Sequence, residues 1–378
     1  MSMKLVCVGD TYVTPGMMRA GVAPYVGPED SLEVLFFGRE GKENMREVVR
    51  RIETGGRDSL ELPAGLTGAV ADAELLIVHL CPVTRALLEA APRLKAVCSC
   101  RGGLENLDVE AARERGVIVS NNPAHNANAV AEYTVGLIIC ETRNICRSHF
   151  ALKNGVWRKD YPNSAQGIHE LRDLVVGIIG YGAVGRLVAE KMRALGCRIL
   201  VSDPFCGGAG DEFVPLERLL AESDVVTLHA RAKGAILSDL ELGLMKPTAV
   251  LVNTARAHLI DTQALRRALD EGKFTGVALD VFDTEPDIPE FLRGYDRVTL
   301  TSHRAGDTVN SYADAPAFAI KNYLRAPAER RAMKSPRLQR FSTTPFPNTS
   351  ELSHTGPTTS YFSSGPSEER FSMRCQAW

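Results

Sequence analysis

The segment VVGIIGYGAVGRLVAEKMRALG, residues 175–196, leaves few folds open to this chain. An apolar run of strand character stops at Gly180, a glycine-rich turn follows, and an amphipathic helix begins at once. Gly180, Gly182 and Gly185 stand in the G-x-G-x-x-G spacing. The first permits a tight turn, the second lets a pyrophosphate approach the backbone, and the third lets helix and strand pack closely. Ala183 and Val184 open the helix, whose first N–H groups lack intrahelical acceptors and suit an anion. Alone the turn is a weak signal, because methyltransferases and plain packing devices also use it. The next strand, CRILVSD, strengthens it by ending at Asp203 about twenty residues on, where a carboxylate accepts hydrogen bonds from adenosine ribose hydroxyls and repels a 2′-phosphate. The expected cofactor is NAD rather than NADP; the rival reading makes Asp203 a turn cap before Pro204.

The rest of the chain agrees with that unit. Up to Asn122 the apolar runs KLVCVGD, LEVLFFG, ELLIVHL, KAVCSC and GVIVSN alternate with helical stretches, which indicates parallel strands joined by crossover helices. Pro123 opens a long helical pattern, AHNANAVAEYTVGLIICETRNICRSHFALKNG, apolar on more than one face and in need of cover. A second series from near Leu174 contributes VVGII, CRILVSD, DVVTLH, AVLVN, GVALD and RVTLT, six strands of an open, doubly wound sheet. After His303 a helix broken at Pro316 leads back toward the first domain. The expected organisation is a first domain of residues 1–122 and 304–330, a nucleotide-binding domain of residues 123–303 inserted into it, and a tail of residues 331–378. That tail is rich in Ser, Thr and Pro without apolar period and is expected to be disordered.

Bulk properties narrow the partners. With 44 Lys and Arg against 46 Asp and Glu, a net charge of -2 provides no basic field, so nucleic acid is not an expected partner. The nine cysteines are scattered, without the spacing of a metal site, and read as reduced thiols. MSMKLVCVGD enters a strand directly, without the pattern of a secretory signal, and no apolar run approaches the roughly 18 residues of a membrane span. The expectation is a cytoplasmic protein with no membrane association and no metal.

Three late apolar runs each end at polar residues: AVLVN at Thr254-Ala255-Arg256, GVALD in the stretch ending at Glu285, and VTLTS at His303. Strand ends of one sense share one edge of a parallel sheet, so a guanidinium, a carboxylate and an imidazole are set to meet a ligand there. Singly, Arg256 reads as a surface ion-pair residue, Glu285 as a turn carboxylate and His303 as a backbone-bonded histidine. At successive strand ends they read as a site. His229 and His258 lie nearby, the first read as structural and the second as solvent-facing.

LMKPTAVLVNTARAHLIDTQALRRALDEGKFTGVALDVFDTEP and TSHRAG, with the glycine turn, resemble the D-isomer-specific 2-hydroxyacid dehydrogenase family over roughly Lys4 to Ala326. The resemblance implies an α/β fold in which a Rossmann NAD-binding domain is inserted in a flavodoxin-like substrate domain, with the active site in the cleft between them. It further implies a homodimer built around the long helix and a small 2-oxo or 2-hydroxy acid as substrate. Arg256 then binds the substrate carboxylate and carbonyl, which suits a planar guanidinium. His303 is the acid/base that protonates the forming alkoxide, and Glu285 is its partner, since an adjacent carboxylate favours a protonated imidazole. Glutamine stands at the Glu285 position in formate dehydrogenases of the family, so Glu285 points to 2-oxo acids. Asp280 matches the residue holding the nicotinamide carboxamide, and Thr254 borders the cofactor. Arg101, Gly102 and Gly103 in SCRGGLENLD match the loop whose backbone N–H groups cradle the substrate carboxylate.

Three positions depart from the family pattern: Ala257 for glycine, Ser302 for proline, and Arg304 for an apolar residue. Arg304 either reads a second anionic group or faces solvent. A different class of function stays open, because NAD-sensing corepressors also look like this family and keep a similar trio.

Overall fold

The computed structural model describes residues 2–38, 41–53, 57–165, 167–207 and 212–325. The expected disordered tail lies outside the described residues. The chain forms two compact units, one built from the chain up to His125 and again from Tyr312, the other from Asn126–Ser311.

The first unit holds a parallel sheet of β1 (Lys4–Gly9), β2 (Ser31–Phe36), β3 (Leu75–Val78), β4 (Ala96–Ser99) and β5 (Ile118–Ser120), in the order β2-β1-β3-β4-β5. This 2-1-3-4-5 order is that of flavodoxin-like sheets. Side chains alternate between two cores with the period of two that a strand imposes. Val6, Val8, Leu76, Val78 and Val97 enter one core, while Leu5, Cys7, Leu75, Ile77 and Cys98 enter the other. The helix Ala315–Arg325 closes the second core with Ala319, Ile320, Tyr323 and Leu324. Its Pro316 falls in the first turn, where a missing N–H costs no helical bond, so the break expected at Pro316 lies instead at Asp314, after the short helix Val309–Ala313.

The second unit holds β6 (Val175–Ile179), β7 (Arg198–Ser202), β8 (Glu212–Phe213), β9 (Val225–Leu228), β10 (Val250–Asn253), β11 (Gly276–Leu279) and β12 (Val298–Leu300), all parallel, in the order β12-β11-β10-β9-β6-β7-β8. Counted from β6 this is the Rossmann order 3-2-1-4-5-6 with one added edge strand. VVTL, VLVN and GVAL are buried throughout, as central strands covered on both faces must be. β8 was not among the six strands read from sequence, since two residues are too few to carry a period.

The long helical pattern after Pro123 is two helices, Ala127–Thr142 and Ile145–Lys153. The break is at Asn144, in the left-handed region at φ 56°, which asparagine adopts more readily than most residues. A buried ion pair holds the corner. Arg147 meets the carboxylate of Glu141 and also donates to the carbonyls of Asp296 (3.1 Å) and Arg297 (2.8 Å) and to Asn144 Oδ1 (3.0 Å). Burial pushes the Glu141 carboxyl up from its usual range, against the pull of Arg147. The first of these helices packs on Ala183–Ala194 and on β10 and β11.

Candidate active site

The glycine turn is built as its spacing requires. Gly180 has φ +93°, and a Cβ there would lie 2.6 Å from the Ala230 backbone; a Cβ on Gly185 would lie 2.1 Å from the Gly180 carbonyl oxygen. A Cβ on Gly182 would meet nothing within 4 Å, so the backbone at this point stands open to a ligand. No side chain caps the helix Ala183–Ala194, which leaves the N–H groups of Ala183 and Val184 for an anion. Asp203 Oδ2 accepts from the Tyr181 N–H (2.7 Å) and Oδ1 from the Phe205 N–H (2.8 Å). The turn-cap reading of Asp203 is therefore real. It does not exhaust the carboxylate, which has about four acceptor sites. An open backbone approach, uncapped helix N–H groups and an acidic strand end together fit a dinucleotide.

Arg256, Glu285 and His303 lie beyond the carboxyl ends of β10, β11 and β12, three adjacent strands. His303 Nδ1 is 2.8 Å from Glu285 Oε2, and Glu285 Oε1 accepts from the Phe282 N–H (2.8 Å). The carboxylate thus fixes the ring and leaves Nε2 on its other side for a further partner. Arg256 is exposed, and its guanidinium donates to the Ala255 carbonyl at 2.7 Å. Asn253, 1% exposed, shapes the turn before it by donating to the Arg256 carbonyl (2.9 Å) and accepting from the Ala255 N–H (3.0 Å). Sequence reading passed over Asn253; a polar residue closing an apolar strand was its only signal.

Asp280 is fully buried and serves the histidine loop. It accepts from Thr301 Oγ1 (2.6 Å), the Arg304 N–H (2.9 Å) and the Ala305 N–H (2.9 Å). His303 itself has φ +52°, an uncommon conformation for a non-glycine residue, and it sits inside this clamp. The Thr254 hydroxyl is 2.8 Å from that of Thr134, which in turn donates to the Val130 carbonyl. Arg304 pairs with Asp307 at 2.7 Å with its side chain half exposed, matching the solvent-facing alternative. His258 Nε2 lies 2.9 Å from the Ala232 carbonyl oxygen, and His229 Nε2 lies 3.0 Å from Thr227 Oγ1. Desolvation holds His229 down to about 3, so it stays neutral.

In the first unit, the Arg101 N–H donates to Ser99 Oγ at 3.1 Å, while Gly102 and Gly103 donate their N–H groups to no acceptor among the described residues. Of the three loop positions expected to cradle a carboxylate, these two keep donors for one. Asn121 Nδ2 holds the Gly102 carbonyl at 2.7 Å.

Comparison with known proteins agrees with this chemistry. The sequence profile for the D-isomer specific 2-hydroxyacid dehydrogenase NAD binding domain matches residues 135–305. The chain is 35% identical over 295 residues to the glyoxylate reductase of Pyrococcus furiosus, covering 74% of this chain and 87% of that one. It is also 35% identical over 311 residues to the D-3-phosphoglycerate dehydrogenase of Methanocaldococcus jannaschii, covering 77% of this chain but only 58% of that protein. Among solved structures, a glyoxylate reductase from Paecilomyes thermophila superposes with a TM-score of 0.62 at 26% identity, covering 85% of this chain and 94% of the other. The chain belongs to the D-isomer-specific 2-hydroxyacid dehydrogenase family of NAD-dependent oxidoreductases.

Proposed function

We propose that this protein interconverts a small 2-oxo acid and its D-2-hydroxy acid by NAD-dependent hydride transfer, with Arg256 binding the substrate carboxylate and carbonyl, His303 as acid/base and Glu285 orienting it. The observation that carries the residue roles is the 2.8 Å pairing of His303 Nδ1 with Glu285 Oε2. With Nδ1 donating to the carboxylate, the Nε2 proton is the one available to the forming alkoxide, and in the reverse direction Nε2 accepts it. Arg256 neutralises charge on the substrate and orients it through paired hydrogen bonds. The Gly102 and Gly103 N–H groups are assigned to the substrate carboxylate. When bound at the glycine turn, NADH supplies the hydride. Asp203 favours NAD over NADP by repelling a 2′-phosphate.

The glyoxylate reductase relatives support a small 2-oxo acid as substrate. We further assign a homodimer, supported by the exposed apolar side chains Phe150, Leu152, Val156 and Trp157 on the helix Ile145–Lys153 and just after it. We also assign a cytoplasmic location, supported by eight free thiols among the described residues, a state that a reducing compartment maintains. A panel of 2-oxo acids with NADH, followed by absorbance for the wild type and His303→Ala, tests the function. Turnover that depends on His303 is expected; turnover unchanged by the substitution refutes the assigned role, and NADH binding without any turnover favours the sensing class.

A further inference from the structure

One cluster of titratable side chains takes no part in the chemistry above. It lies in the first unit at the carboxyl ends of β1 and β3, where the strand order reverses, the place at which flavodoxin-like sheets bind ligands. Asp10 is fully buried and saturated. Its Oδ1 accepts from the N–H groups of Tyr12 (2.8 Å) and Val13 (3.1 Å), while Oδ2 accepts from the Leu80 N–H (3.1 Å) and faces His79 Nδ1 at 2.8 Å. The His79 side chain is only 9% exposed, yet its Nε2 bonds to no group among the described residues. Tyr12 and Tyr312 stack on each other at 5.7 Å, and both meet the imidazole edge-on at 6.5 and 6.3 Å. Asn106 Nδ2 holds the carbonyls of His79 (3.1 Å) and Cys81 (3.0 Å), joining this strand end to the loop after β4. Val78 pairs with Ser99 across β3 and β4 and its carbonyl accepts from the Cys100 N–H at 2.8 Å, which places the cluster beside the loop that starts at Arg101.

A carboxylate at Nδ1 fixes the ring, so Nε2 is the atom it presents to a ligand. Packing alone gives no reason to bury such a pair, since apolar side chains of the same volume serve stability as well or better. We propose that Asp10 and His79, walled by Tyr12 and Tyr312, form a subsite that hydrogen-bonds a hydroxyl on the far carbon of the substrate through His79 Nε2, so that hydroxylated 2-oxo acids are preferred. This rests on the proposed function, and in particular on the substrate carboxylate lying at Gly102 and Gly103. A phosphate there finds no net positive charge, because Asp10 offsets any charge on His79, and an alkyl group leaves Nε2 unsatisfied.

The test compares hydroxypyruvate with pyruvate, and D-glycerate with D-lactate, which differ by one hydroxyl. Steady-state kinetics with NADH and calorimetric binding of the two hydroxy acids are measured for the full-length wild type and His79→Asn, whose amide keeps a donor for Asp10 while Nε2 is lost. The wild type is expected to favour the hydroxylated member of each pair, and the variant to lose roughly 10–100-fold on that member and less than about twofold on the other. Equal loss on both members, or a wild type without preference, overturns the subsite while leaving the reductase reading intact. Selective binding of D-glycerate that His79→Asn abolishes, in a protein that turns over neither acid, upholds the subsite and removes the reductase reading. Should the variant fail to fold, the wild-type ratio decides alone: a preference below about threefold overturns the proposal.

Discussion

Asp280→Asn separates two roles for one side chain. As a carboxylate, Asp280 receives three donors among the described residues, all from the loop carrying His303. An amide can keep its oxygen toward Thr301 and the Arg304 N–H, because both bond to Oδ1. Its NH2 then faces the Ala305 N–H, which was bonded to Oδ2. One charge-assisted hydrogen bond is lost, worth about 1.5–3 kcal/mol, and Ala305, 3% exposed, is left with an unsatisfied donor at about 1–3 kcal/mol. These overlap, so the expected loss is about 2–4 kcal/mol of stability in the second unit. Denaturant unfolding with and without NADH measures it, alongside kcat for 2-oxo acid reduction. A released His303 loop lowers kcat by more than tenfold while the NADH dissociation constant changes little. If stability moves by less than about 0.5 kcal/mol and NADH affinity collapses instead, Asp280 is a nicotinamide ligand and the clamp argument is wrong.

Gly185→Ala forces a Cβ to 2.1 Å from the Gly180 carbonyl oxygen, so NADH affinity should fall at least tenfold by fluorescence titration; unchanged affinity refutes the role given to the turn. Asp203→Ala should narrow the NADH over NADPH preference in coenzyme titration, and an unaltered ratio removes Asp203 as the discriminator. Arg147→Met strands the buried Glu141 carboxylate and should cost about 3–5 kcal/mol by denaturant unfolding. For His229 the folded value of about 3 lies below the unfolded value of about 6.5, so the unfolded chain binds the extra proton between them. That contribution to stability is full above pH about 6.5 and declines as pH falls toward 3. His229→Gln should flatten this part of the stability profile between pH 7 and 5, and an unchanged slope contradicts it.

Much of the fold was legible because apolar runs with period two and helical stretches with period 3.6 alternate along the whole described chain, and parallel pairing is their natural consequence. The glycine turn was legible for a stricter reason: at Gly180 and Gly185 no other residue fits, so backbone geometry writes itself into the sequence. What could not be read was everything set by side chains meeting from distant positions. The corner at Asn144 interrupts a pattern that local propensity continues, and it is fixed by Arg147 reaching carbonyls about 150 residues away. To the cofactor role that its motif suggested for Asp280, the packed structure adds that the carboxylate is directed into the loop of His303. His79 and Asp10 stand 69 positions apart, within two unremarkable apolar runs, and become a pair only when β1 and β3 lie side by side. Sequence by itself determined which elements form and which polar residues stand at the strand ends, because periodicity and glycine geometry are local. The tertiary structure decided which polar groups partner one another, because hydrogen bonds depend on distances that sequence separation does not encode.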